Sequence, residues 1–291
     1  MELQQLRYVV AIAETGSFTR AAQRCHVVQS ALSHQVAQLE KRLGIALFVR
    51  NNRHVRLTAA GAAFLPAARD TLAAAARAED EVAAVTGLLR GSVALGMIAT
   101  VTAVDVIGVI ANFRVEHPGI AVSVSTDLSE TLVEQVRTHR LDVAMIAAPD
   151  SYRVTDAVEC ARLAADQLCL VVADSHEFAA RRDRILTLAD IRDQPFVDFP
   201  TSSQARAETD EAFAVADVRR EVVFEVDHIH TLVRFVRAGV AVSVIPPGIA
   251  EPSDGLCEIA LADPPTRSQY LVWGKHASPA ARALVAALRP R

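Results

Sequence analysis

The chain has 291 residues, enough for two or three domains with cores of their own, and its 30 Lys and Arg against 34 Asp and Glu leave a formal charge of -4. Hydrophobic residues make up 51% and the mean hydropathy is +0.23. They are dispersed, however: no run approaches the ~20 apolar residues of a membrane span, and Glu2, Gln4, Gln5, Arg7 and Glu14 break up any signal-peptide core. The expected compartment is therefore the cytoplasm, with no membrane partner. Divided at residue 60, the charge separates: Lys41 and seven arginines oppose three carboxylates there, a surplus of five, and the rest of the chain carries a deficit of nine. A basic head on an acidic body is the asymmetry expected when one domain alone meets a polyanion.

Ser17 is placed to cap a helix over residues 18–25, in which Ala21 and Ala22 are small enough for close packing. His26 and Val27 form a turn. A second helix, residues 28–43, presents Val28, Leu32, Val36, Leu39 and Leu43 at helical spacing to a small core and ends at Gly44. Its other face carries Gln29, Ser30, Ser33, His34 and Gln38, side chains that donate and accept hydrogen bonds. At the N-terminal end of a helix in a major groove they would meet base edges or phosphates. Residues 47–49 and 55–57 then read as a short hairpin whose Arg50, Arg53 and Arg56 suit phosphate or minor-groove contact. The sum is a winged helix-turn-helix.

The order Gly16, Ser17, Phe18, Ala21, Ala22, then Gln29, Ser30, Ala31, Leu32, Ser33, then Leu39, Glu40, Leu43, Gly44, Leu47, Phe48, Arg50, Arg53, Leu57, Thr58 and Gly61 resembles the N-terminal pattern of LysR-type transcriptional regulators. That resemblance implies DNA contacts at Gln29, Ser30, Ser33, His34, Arg50 and Arg53. It also implies association of two dimers into a tetramer through the C-terminal domains, and contact with RNA polymerase.

Thr58 is expected to cap a long alanine-rich helix to about residue 88, with Pro66 kinking it or displacing its start. Leu65, Ala68, Leu72, Ala75, Glu79, Val82 and Leu89 fall near a seven-residue repeat, a stripe that one helix cannot bury alone. A homodimer paired through this helix follows, and with it an inverted-repeat operator. Gly87 and Gly91 supply a hinge.

From Ser92 onward short apolar strands alternate with amphipathic helices. Strands are expected at 93–97, 121–124 and 141–147, with helices at 103–116 and 129–139; the order restarts after Cys160 with strands at 168–172, 196–199, 222–226 and 240–245 and helices at 188–193, 206–215 and 230–238. A last strand at 270–273 and a helix from Pro279 return to the first lobe. Strand-helix alternation predicts a mostly parallel sheet covered on both faces. The fold class is α+β multidomain: a winged helix-turn-helix at 1–58, a linker and dimerisation helix at 59–90, and a two-lobe α/β effector domain at 91–291. Lobe I covers about 91–160 and 268–291, lobe II about 161–267. This second half resembles the periplasmic-binding-protein-like sensor domain of the same family.

Ligands of open α/β sheets lie beyond the C-terminal strand ends, where helix N-termini point free N–H groups. Thr100 and Thr102, Ser129, Thr201 and Ser202, and His228 and His230 occupy four such places and define an expected effector site, suited to a carboxylate or another oxygen-rich small molecule. Many members of the resembled family carry an arginine at the end of the strand where this chain has Ala147; either Arg206 or the two histidines replace it, or the cleft takes a less acidic, more apolar ligand.

No nucleophile elbow, phosphate-binding glycine loop or metal-ligand spacing occurs. No enzyme activity, metal or cofactor is expected. The alternatives are a redox-responsive regulator that pairs Cys160 with Cys169 and, in a different class, a cytosolic solute-binding protein. The latter leaves the basic N-terminal domain without a purpose.

Overall fold

A computed structural model describes residues 1–50, 55–85, 89–150, 152–153, 157–181, 183–249 and 255–289. The chain divides into two compact units, Met1–Leu88 and Leu89–Arg291.

The first unit opens with a helix that the sequence reading missed, α1 (Leu3–Thr15), which turns Tyr8, Val9, Ala11 and Ile12 into the core. Gly16 ends it at φ 61°, a left-handed conformation suited to glycine. Helix α2 (Phe18–Arg24) begins at Ser17, whose hydroxyl accepts from the Arg20 N–H as expected, and α3 (Gln29–Leu43) stops at Gly44, φ 71°. Leu32, Val36 and Leu39 are fully buried against Ala21 and Ala22. Each such burial contributes about 1.5–3 kcal/mol. Val28 and Leu43, assigned to the same stripe, are instead 68% and 41% exposed. They occupy the N-cap and the last turn, where the helix has left the core.

Strands β1 (Phe48–Arg50) and β2 (Val55–Leu57) pair antiparallel as the wing, and its tip, 51–54 with Arg53, lies outside the described residues. Glu40 fixes where the wing leaves α3: its Oε1 accepts from the backbone N–H of Leu47 at 2.8 Å and of Phe48 at 3.3 Å. Helix α4 (Ala59–Val85) starts at Thr58, whose hydroxyl accepts from Gly61 N. It runs through Pro66 without displacement of its start. A Cβ on Gly61 would lie 2.1 Å from the Leu47 carbonyl oxygen, so this glycine is what lets α4 close on the wing. Glu14 binds Arg24 at 2.7 Å and the buried Arg69 at 3.2 Å, tying α1 to α2 and α4. The hinge glycine Gly87 is outside the described residues, whereas Gly91 opens the next strand.

In the second unit, β3 (Gly91–Met97), β4 (Ile120–Thr126), β5 (Val143–Ala148), β6 (Val158–Gln167) and β12 (Thr266–Gly274) form one sheet in the order β4-β3-β5-β12-β6. Helices α5 (Val106–Glu116) and α9 (Pro279–Leu288) bury Phe113, Ala281 and Leu284 on one side with Val93, Leu95 and Val143. Helix α6 (Ser129–Arg137) buries Leu132 and Val136 on the other with Ala144 and Ile146. Helix α5 starts three residues later than expected because Asp105 caps it, accepting from Gly108 N at 3.0 Å.

Strand β6 was not foreseen, its apolar residues being interrupted by Glu159, Arg162 and Asp166. It belongs to the first-lobe sheet, so the crossover falls after Gln167 and not at Cys160, and the return begins at Thr266. The second lobe contains β7 (Cys169–Ala173) between β10 (Ser243–Ile245) and β11 (Leu256–Ile259), and β8 (Pro195–Asp198) beside β9 (Glu221–Glu225). Helices α7 (Gln204–Val215) and α8 (Ile229–Arg237) complete it. The expected mostly parallel sheet is corrected. The pairs β3/β4, β3/β5 and β8/β9 are parallel, but β12 is antiparallel to β5 and β6, and β7 to both its neighbours. Strands that carry the chain between lobes cannot keep the direction of the strand-helix repeat.

Candidate effector cleft and nucleic-acid interface

The first turn of α3 is open to solvent. Gln29, Ser30 and His34 are exposed and Ser33 half-buried. The spacings Gln29 to Ser33 and Ser30 to His34 place these residues on one side of the helix. N-cap Val28 supplies no side-chain acceptor, so the first-turn N–H groups also face outward. Arg50 ends β1. The unit thus presents hydrogen-bonding side chains and a positive helix end together.

Between the two lobes of the second unit is a cavity of about 350 Å³. Its lining includes Thr100 after β3, Ser129 and Glu130 at the start of α6, Ala147 at the end of β5, Ser203 and Gln204 at the start of α7, and His228 before α8. Of the expected site residues, Thr100, Ser129 and His228 meet here. Thr102 does not line it; its hydroxyl donates to Asp166 at 2.9 Å. Thr201 and Ser202 are exposed beside the cavity, and the wall at that turn is Ser203 and Gln204. His230 is exposed on α8 and does not line the cavity; its neighbour Ile229 is the residue that turns inward.

Helix geometry leaves the N–H groups of Ser129, Glu130 and Thr131 without intrahelical acceptors, and N-cap Leu128 has no side-chain acceptor to offer. The Ser129 hydroxyl donates to the Ala147 carbonyl at 2.9 Å and accepts from the Ala147 N–H at 3.2 Å, pinning the helix start to β5. Across the cleft, Gln204 N donates to Glu130 Oε1 at 3.1 Å, linking the lobes. Asp227 and His228 are 3.8 Å apart and largely exposed at the rim.

Among the described residues, the arginine that lines the cleft is Arg267, which is not one of the expected site residues. It is 4% exposed, donates to Thr100 Oγ1 at 2.8 Å and the Thr100 carbonyl at 2.6 Å, and pairs with Asp166 at 3.0 Å. Burial lowers its pKa, and Asp166 opposes the shift. The signal for it was an arginine just ahead of the apolar run Tyr270–Trp273, since an arginine drawn into the interior needs a partner. Arg206, one of the two expected replacements, is spent elsewhere: it binds Asp210 at 2.9 Å. Cys160 and Cys169 lie on β6 and β7, and the extended stretch of β6 from Cys160 to Gln167 alone spans roughly 23 Å, more than the two residues from there to Cys169 can double back to bring the pair within the ~7 Å limit for a disulfide. Burial raises both thiol pKa values, that of Cys169 to about 12. The redox pairing is therefore withdrawn.

Residues 3–62 match the model of the bacterial regulatory helix-turn-helix protein, lysR family, and residues 86–291 match the LysR substrate binding domain. The chain belongs to the LysR family of transcriptional regulators. The HTH-type transcriptional regulator ShiR of Corynebacterium glutamicum (strain R) is 30% identical over 248 residues, 84% of this chain and 82% of that one. Among solved structures, full-length CbnR complexed with its target DNA is 25% identical with a TM-score of 0.69, covering 99% of both chains. A full-length OxyR variant from Pseudomonas aeruginosa, 23% identical, shares the fold with a TM-score of 0.79, covering 99% of this chain and 94% of its own. As a LysR-type regulator the protein binds DNA and controls transcription, with a sensor domain for small-molecule effectors; the family is one of regulators and not of enzymes. Among the described residues no helix is long and apolar enough to cross a membrane.

Proposed function

We propose that α3 of this LysR-type regulator enters the major groove of double-stranded DNA with Gln29, Ser30, Ser33 and His34 toward base edges and phosphates, while Arg50 and Arg53 of the wing hold the flanking backbone. The open polar first turn of α3, in a unit of net positive charge, carries this reading. Helix α4 pairs with its copy in a homodimer: Leu72 and Ala75 are half-buried and Val82 is 69% exposed, apolar surface that a second chain would cover. The operator is then an inverted repeat, and two dimers associate as a tetramer. The protein works in the cytoplasm, beside the genome and RNA polymerase.

The effector occupies the interlobe cleft. The open N-terminus of α6, between Thr100 and Ser129, suits a small carboxylate. Because Gln204 and Glu130 join the lobes across the cleft, a ligand that inserts there shifts the balance of lobe closure and so the spacing of the DNA-binding pairs. A thermal-shift screen of small carboxylates on the full chain, repeated with Ser129→Ala, tests this. A compound that stabilises the wild type, fails in the variant and changes the DNA footprint supports it. A stabilising compound insensitive to Ser129, or one that leaves the footprint unchanged, contradicts it.

A further inference from the structure

A second cavity of about 810 Å³ shares only Arg267 with the effector cleft. Its walls are α7, the loop that follows β5, the end of β6, and the start of β12 with Pro264 and Pro265 before it. Four carboxylates line it: Asp150, Glu208, Glu211 and Asp263. The one lining cation among the described residues, Arg267, already has Asp166 and Thr100 as partners. Asp150 is likewise engaged, by Ser268 and by Arg162 at 3.0 Å.

Glu208 differs from the rest. It is 7% exposed, and its Oε1 atom is buried without a hydrogen-bond partner. An unmet buried carboxylate oxygen is costly, and an N–H donor delivered to it recovers that cost. Burial, against the attraction of Arg267 and a hydrogen bond from the Gln204 side chain to the carboxyl, pushes it up to about 7. Beside it the wall is apolar: Leu188, Ala212, Pro264 and Val215, the last 83% exposed.

We infer that this cavity is a second ligand site, distinct from the effector cleft, which takes a small organic cation: an amine or amidine head on Glu208, with an apolar body along Leu188, Ala212 and Val215. The surrounding carboxylates exclude anions of the same shape. Occupancy is felt in the cleft, because α7 presents Glu208 here and Ser203 and Gln204 there, and Arg267 lines both.

Isothermal titration of the full chain with benzamidine, against benzoate as the anionic isostere, tests the site. Benzamidine should bind at one site per chain. Glu208→Gln should weaken it at least about tenfold, the loss of a charge-assisted hydrogen bond. Ala216→Leu, which narrows the cavity without touching Glu208, should weaken it as well, and Ser129→Ala in the cleft should leave it unchanged. No benzamidine binding at millimolar concentration, equal binding by Glu208→Gln, or loss of binding in Ser129→Ala would each overturn the inference.

Discussion

The Arg267 guanidinium holds Thr100 twice, through its hydroxyl at 2.8 Å and its carbonyl at 2.6 Å, so the strand that returns from the second lobe fixes the loop that floors the interlobe cleft. Asp166 on β6 balances the charge, and Gln269 reinforces it by donating to the same carboxylate at 2.6 Å. Replacing Arg267 by Met leaves Asp166 buried without its cation. Such a loss costs about 3–5 kcal/mol. The variant should show a lower urea midpoint with an unchanged m-value and no cleft-ligand response. A midpoint equal to that of the wild type would remove Arg267 from its central place in this unit.

Glu208 makes a prediction about pH. Its folded carboxyl titrates at about 7, above the ordinary 4.5, because burial disfavours the charged form. The folded state therefore holds a proton that the unfolded state has lost between those values, and stability falls as pH rises through that window and levels off above it. The full effect is at most about 3 kcal/mol. Urea titrations at pH 5 and pH 8 should show this loss in the wild type and a smaller one in Glu208→Gln. A stability that rises across the window in the wild type relative to the variant would contradict the assignment.

Much of this was legible in the sequence, for identifiable reasons. Ser17, Gly44 and Thr58 act at helix ends through local chemistry, and Leu32, Val36 and Leu39 repeat with a helix period, so both position and burial could be read directly. Strand β6 could not, because Glu159, Arg162 and Asp166 interrupt its pattern; they find partners in Trp273, Ser268 and Arg267, which are far off in sequence. The cleft was half-legible for the same reason. Ser129 and Thr100 follow from where strands end, whereas Arg267 reaches the cleft through a strand that returns after the second lobe. At the turn after Phe199, where Thr201, Ser202 and Ser203 are all legible as hydroxyls, the capping residue is the last of them, so Thr201 and Ser202 fall one or two residues short of the wall.

Gly61 tests the packing of the first unit. An added methyl would meet the Leu47 carbonyl oxygen at 2.1 Å, backbone that cannot move without disturbing the wing. Gly61→Ala should lower the melting transition of the protein and weaken DNA binding, although alanine favours helix by about 1 kcal/mol. A stabilised variant would show that α4 and the wing are not in register as described.

The cysteines give an expectation against redox control. Cys160 and Cys169 are on different sheets, and burial raises the pKa of each. Thiolate is the reactive form. Mass mapping after mild peroxide treatment should find no disulfide between them, and the Cys160→Ser, Cys169→Ser double variant should bind DNA as the wild type does. A recovered Cys160–Cys169 peptide would restore the redox alternative.

Footprinting of the purified protein on the DNA upstream of its own gene, at stated salt and beside Arg53→Ala, bears most directly on the DNA-reading mechanism. Protection of an inverted repeat, weakened in the variant and steeply dependent on salt, is the expected result. Protection of a single half-site, or of the same repeat with equal strength by the variant, would contradict the paired-helix and wing contacts on which the mechanism rests.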